Sequence, residues 1–108
     1  MNKPRRTRKK KPLDISWSDR ARSDLRKIGE FIAKDNPQAA LRWIEKLAQA
    51  VDRLATLPTS GRIVPEFQRK DLREVIVHNY RIVYRIKTDE VEIVTVFEGH
   101  RSFPAVFS

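Results

Sequence analysis

The chain has 108 residues, 40% of them hydrophobic, and a mean hydropathy of −0.58, which allows one modest core. It has no apolar run of about 18 residues to cross a membrane, no apolar stretch behind its basic N-terminus to make a secretory signal, and no cysteine for a disulfide or a thiolate metal site, which points to a soluble protein of the reducing cytoplasm. The net charge of +9 is largely local, since residues 1–12 carry seven of the 23 Lys and Arg and no acid, while the other 96 residues carry 16 bases and 14 acids.

Lys3, Arg5, Arg6, Arg8, Lys9, Lys10 and Lys11 lie in that first stretch with no apolar face among them. Like charges repel and nothing is there to bury, so residues 1–12 are expected to form a disordered basic tail. It serves either as a phosphate-binding arm, with salt-sensitive affinity, or simply as a solubilising segment. Leu13, Ile15 and Trp17 then alternate with Asp14 and Ser16 as a short strand. Ser16 or Ser18 caps a helix whose apolar stripe is Ala21, Leu25, Ile28 and Ile32, with Asp19 in the first turn. Asn36-Pro37 ends this helix and caps the next. Ala40, Leu41, Ile44, Leu47, Ala48, Val51, Leu54 and Ala55 trace a second stripe, which Pro58 terminates. So short a turn makes the two helices antiparallel neighbours. Leu57 to Lys70 reads as a loop.

Three β-rich runs follow. Leu72–Val77 is the first, and His78-Asn79 is a tight turn in which Asn tolerates positive φ. In the second, Tyr80, Ile82, Tyr84 and Ile86 alternate with Arg81, Val83, Arg85 and Lys87, the period-two mark of a half-buried strand. The third sets Val91, Ile93, Thr95 and Phe97 on one face against Glu92, Val94 and Val96. The order is therefore β-α-α-β-β-β, an α+β domain over residues 13–108 with a helical hairpin packed on a small antiparallel-rich sheet.

The sequence holds no phosphate-binding glycine loop and no Ser-His-Asp grammar. Its two histidines lack clustered carboxylates, so neither a metal nor another cofactor is expected. Folding can nevertheless gather polar groups: Glu66 in the loop, Arg73, Arg81 and Arg85 on the strands, and Glu98, His100 and Arg101 after the last one. Such a set suits metal-free RNA cleavage, which needs a base for the 2′-hydroxyl, cations for the phosphorane and an acid for the leaving oxygen. Arg offers a planar, permanently charged fork for phosphate, and His an acid of suitable pKa. Against this stand plainer assignments. The arginines can form the solvated face of a half-exposed strand, and His100 can be a surface side chain. Tyr80, Tyr84, Trp17 and Trp43 read as core.

GRIVPEF at 61–67, LREVIVHNYRIVYRI at 72–86 and VEIVTVF at 91–97, set behind a helical hairpin, make residues 13–104 resemble the RelE/ParE superfamily of toxins from bacterial type II toxin–antitoxin modules. The resemblance implies a cognate antitoxin that wraps the toxin. It also implies one of two targets: RelE-like members cut mRNA in the ribosomal A site, whereas ParE-like members bind DNA gyrase and are not nucleases. Carried onto this chain, the nuclease pattern makes Glu66 the base, Arg73 and Arg81 the phosphate clamp and His100 the acid. Arg62, Arg85 and Arg101 become nucleic-acid contacts. Many relatives carry His directly before the glycine, the position of Glu98 here. The nuclease reading expects Arg81→Ala to abolish cutting with little loss of fold. Ribosome-dependent mRNA cleavage is the activity expected from this reading; the alternatives are a gyrase inhibitor using the same face for protein binding, and a non-toxic module whose tail and basic face bind RNA.

Overall fold

Two side-chain caps divide the first half of the chain. In the computed structural model, which describes residues 11–106, strand β1 (Asp14–Trp17) runs into Ser18. The Ser18 hydroxyl accepts from the Ala21 N–H at 3.0 Å, starting helix α1 (Asp19–Asp35), and donates to the Val94 carbonyl at 2.8 Å, tying the helix start to the sheet. Asn36 accepts from the Ala39 N–H at 3.1 Å and, with Pro37 in the first position, starts α2 (Pro37–Leu54). The expected basic tail lies outside the described residues except for Lys11 and Pro12.

The remaining strands are β2 (Arg62–Ile63), β3 (Leu72–Val77), β4 (Tyr80–Ile86) and β5 (Glu90–Glu98). They form one sheet in the order β1-β5-β4-β3-β2, with β1 parallel to β5 and every other pair antiparallel. The expected α+β arrangement of a helical hairpin on a sheet is thus present. The stretch 57–70, read as a loop, also contains a 3-10 turn at Pro58–Ser60 and the two-residue β2, which the sequence pattern is too short to reveal.

The helices cover one face of the sheet. Ala21, Trp43, Leu47, Val51 and Leu54 pack on Val77, Tyr80, Ile82, Tyr84, Val91, Ile93 and Val96. Trp43 meets Tyr80 edge-on with centroids 5.1 Å apart. α2 thus buries the row 40-43-47-51-54, which turns Leu41, Ile44 and Ala48, expected in the core, outward. Its apolar stripe is wider than one contact face.

The other face is not solvated as expected. Val64, Leu72, Val83, Val94 and Phe97 form a second cluster there, closed by Phe103 and Val106. β4 is therefore buried on both sides through Tyr84. The β4–β5 register pairs Val83 with Thr95 but Tyr84 with Ile93, leaving Val94 as an extra residue in a bulge. The bulge shifts the alternation, so Val96 instead of Thr95 follows Val91 and Ile93 into the helix-side core, while Phe97 joins Val94 on the opposite face. At the β3–β4 turn it is His78, at φ 58°, that adopts the left-handed conformation. Beyond the end of β1, the open edge of β5 is capped by Asp24 of α1. Its Oδ2 accepts from the Thr95 hydroxyl at 2.6 Å and the Val96 N–H at 3.0 Å.

Candidate functional site

The two-residue turn at 78–79 fixes the register Val77↔Tyr80, which sets Ile76 opposite Arg81 and Glu74 opposite Val83. Glu74 and Arg81 are then diagonal neighbours on one face, within reach of long side chains. The Arg81 Nε donates to Glu74 Oε1 at 2.6 Å. Its two terminal nitrogens form a fork on Glu66, Nη1 to Oε2 at 2.8 Å and Nη2 to Oε1 at 2.7 Å. The remaining oxygen of Glu74 accepts from Arg62 Nε. Four side chains from three strands and a loop thus form a continuous Glu66–Arg81–Glu74–Arg62 ladder of zero net charge.

Burial grades along this ladder. Glu74 is 1% exposed and Arg81 7%, while the Glu66 side chain is 41% exposed at the rim. Aromatic rings enclose the guanidinium: its central carbon lies 5.1 Å from the Phe97 ring centroid and 5.4 Å from that of Phe103. Phe103 also packs edge-on against Phe67 at 5.1 Å and Phe97 at 5.2 Å. The Arg81 hydrogen bonds hold the Glu66 carboxyl below its ordinary range, and the Glu66 carboxylate in turn raises the Arg81 pKa.

A depressed carboxylate pKa has a direct consequence for stability. The contribution of Glu66 is present above its unfolded value near 4.5 and is lost as the pH falls through the lower folded value. Glu66→Gln is expected to melt below the parent at neutral pH, with the gap closing below about pH 4. Thermal unfolding followed by circular dichroism across pH 3–7 checks this, and a gap that persists in acid contradicts it.

The expected site residues thus fall into four groups. Glu66, Arg81 and Arg62 meet, with Glu74 as the member that the sequence reading missed. Its signal was legible in principle, because the turn register makes Glu74 and Arg81 diagonal neighbours. Arg73 bonds to backbone instead: it donates to the carbonyls of Lys70 at 3.0 Å, Thr59 at 3.2 Å and Gly61 at 3.1 Å, holding the loop ahead of β2. Arg85 is partly buried on β4 and helps Arg69 hold the Asp71 carboxyl below its ordinary range. His100 and Arg101 sit in the turn after β5 around Glu98. The Arg101 Nε lies 3.2 Å from Glu98 Oε1, and the His100 Nε2 lies 4.0 Å from the same oxygen, with the His100 side chain 73% exposed. Tyr84 is a core residue whose hydroxyl bonds to the loop. Among the described residues, no three His, Asp or Glu side chains converge as metal ligands, and no helix is long and apolar enough to cross a membrane.

Chemically, every nitrogen of Arg81 already faces a carboxylate. A phosphate binding end-on to this guanidinium must displace Glu66 from the Nη1/Nη2 edge. A carboxylate held in a bidentate ion pair is a weaker proton acceptor than a free one, since protonation costs it both charge-assisted bonds. The resting arrangement is a self-satisfied ion network under aromatic cover, with one acid accessible at its rim.

Residues 15–103 match the family model of the ParE toxin of the type II toxin–antitoxin system parDE. The chain is 43% identical over 94 residues to Y4kP of Sinorhizobium fredii, provisionally named a toxin, covering 85% of this chain and 94% of that protein. It is 36% identical over 88 residues to toxin RelE2 of Caulobacter vibrioides, covering 81% and 96%. Among solved structures, the chromosomal ParDE toxin–antitoxin system of P. aeruginosa aligns with a TM-score of 0.65 at 19% identity, over 80% of this chain and 95% of that one. The RelBE2 toxin–antitoxin complex of Mycobacterium tuberculosis aligns at 0.55 and 23% identity, over 81% and 91%. At these identities the two structures speak for the fold.

Proposed function

We infer the function from one premise: the chain belongs to the ParE toxin family of type II toxin–antitoxin systems, within the RelE/ParE superfamily. It is the toxin component of such a system. Its partner is a cognate antitoxin, in line with the toxin–antitoxin complexes among its structural neighbours, and its place of action is the cytoplasm. For the target we favour the ParE-like mode, in which the toxin arrests growth by holding a protein, DNA gyrase, and does not cleave RNA. The observation that carries this reading is the Glu66–Arg81–Glu74 network, which engages the would-be base and Arg81, one of the two arginines of the would-be phosphate clamp.

A second reading draws on the 36% identity to a protein named RelE2 and on the exposure of Glu66 and His100. In it the toxin cuts mRNA on the ribosome. Glu66, released from Arg81, is the base, Arg73 and Arg81 hold the phosphate, and His100 is the acid. Arg62, Arg85 and Arg101 line the RNA.

Induced expression without antitoxin separates the two, with new mRNA 5′ ends mapped while DNA breaks are scored. The expected result is growth arrest with DNA breaks and intact messages, retained in Glu66→Gln and His100→Ala. New 5′ ends in translated messages, lost in either variant, overturn the gyrase reading. Absence of arrest removes both.

A further inference from the structure

A hollow of about 430 Å³ lies where α2 meets the β3–β4 turn, on the face of the sheet opposite the Arg81 network. Its size is in the range of small-ligand sites. Arg42, Trp43 and Lys46 of α2 line it together with His78, Asn79 and Tyr80 at the turn. No Asp or Glu is among the lining residues. Arg42 and Lys46 are four residues apart on α2 and so share one side of the helix. Both are exposed, and neither makes an ion pair among the described residues. Glu98 lies 3.4 Å from Asn79 Nδ2 but already pairs with Arg101. The hollow is therefore rich in donors and poor in acceptors.

Two features of its wall are not explained by packing. Buried indole N–H groups usually find an acceptor. Trp43 is 4% exposed, and its Nε1 has no acceptor among the described residues. His78 holds a left-handed backbone at φ 58°, a conformation that glycine adopts without steric cost. The chain thus keeps an imidazole where a side chain is disfavoured.

We propose that this hollow is an anion site that takes a phosphate group. Arg42, Lys46, His78 and the Trp43 indole are donors, and they come from two separate elements. A phosphate offers three strong acceptor oxygens in a tetrahedral array, which donors on both sides of a hollow can share. A carboxylate offers two oxygens in one plane and leaves more of these donors unpaired. The flexible stem of Lys46 and the planar fork of Arg42 both suit phosphate. The indole Nε1 is covered in the free protein, so its pairing accompanies a small adjustment of the wall. This inference does not depend on which target the toxin holds.

Proton–nitrogen correlation spectra of the isotope-labelled full-length chain, titrated with sodium phosphate at constant pH and ionic strength, test it. Trp17→Phe tells the two indole signals apart. The expected result is a saturable shift of the Trp43 indole N–H, half complete on the order of 1 mM phosphate, with Trp17 unmoved. Arg42→Gln and Lys46→Gln are each expected to raise that midpoint about fivefold. His78→Gly should raise it about threefold without lowering the melting temperature, since glycine relaxes the turn. A lower midpoint for adenosine monophosphate than for phosphate assigns the group to a free nucleotide, and a lower one for duplex DNA assigns it to a nucleic-acid backbone. No saturable shift up to about 50 mM phosphate overturns the proposal, as does a shift that survives Arg42→Gln combined with Lys46→Gln. Equal shifts with sodium acetate also overturn it and assign the hollow to carboxylates of a partner protein.

Discussion

Arg81→Ala is expected to destabilise the protein by about 3–5 kcal/mol, enough to unfold much of a domain this size at 37 °C. The loss comes from what remains. Glu74, 1% exposed, keeps only Arg62 at the rim, and Glu66 loses both bonds of its fork. The rings of Phe97 and Phe103 are left around a void. Removing one member of a buried ion network costs more than removing the network, since the surviving charge is stranded. Arg81→Met combined with Glu74→Leu should therefore recover most of the loss. Urea unfolding of the two variants checks this through the midpoint. An Arg81→Ala midpoint within about 0.5 kcal/mol of the parent would mean that water reaches Glu74 and screens it. The structure thus reverses the expectation that Arg81→Ala spares the fold. Loss of toxicity in that variant therefore does not diagnose catalysis.

The second large effect is at Gly61. Its backbone is in an ordinary extended conformation, so conformational freedom is not the reason for glycine. Space is. A Cβ at this position would stand 2.6 Å from the Glu74 carbonyl oxygen, 2.6 Å from the Tyr84 hydroxyl and 2.9 Å from the Tyr84 ring. None of these neighbours yields readily. Tyr84 is fully buried, and its hydroxyl accepts from the Gly61 N–H at 3.0 Å while donating to the Pro58 carbonyl at 2.6 Å. Arg73 holds the carbonyls on the same loop. Gly61→Ala must push β2 away from β3, straining the Arg62–Glu74 contact with it. The expected cost is about 2–4 kcal/mol. Tyr84→Phe, which strands the Gly61 N–H and the Pro58 carbonyl, should cost about 1–3 kcal/mol. Because the Ala methyl and the Tyr hydroxyl compete for one space, the double variant should lose less than the sum of the two. Strict additivity in urea unfolding would mean that the clash with the Glu74 carbonyl alone dictates glycine here.

Both effects concern residues that the sequence presents in a different light. Arg81 alternates with apolar neighbours as any solvated strand residue does, and Gly61 reads as one more loop glycine. Features that depend on neighbours a few residues away were legible: the Ser18 and Asn36 caps, Pro37 in the first turn of α2, the two-residue turn at 78–79 and the period of β4. Each rests on a hydrogen bond or steric limit spanning about four residues, so a short window contains its cause. The resemblance of residues 13–104 to a toxin superfamily was legible for a related reason, because the strand motifs and the hairpin before them recur in order.

What the tertiary structure decided is which surfaces are covered, and by what. Phe103, 22 positions beyond Arg81, turns the supposed outer face of the sheet into a second core. The extra residue at Val94 exchanges the faces of Thr95 and Val96. The choice of one row on α2 leaves Leu41 and Ile44 outside. In each case the local pattern is compatible with two environments, and contacts between distant segments choose one by the apolar surface they bury and the charges they pair. Apart from β2 and the 3-10 turn before it, the helices, strands and their order were therefore written locally. The burial of Arg81 was set by packing that no short window of sequence contains.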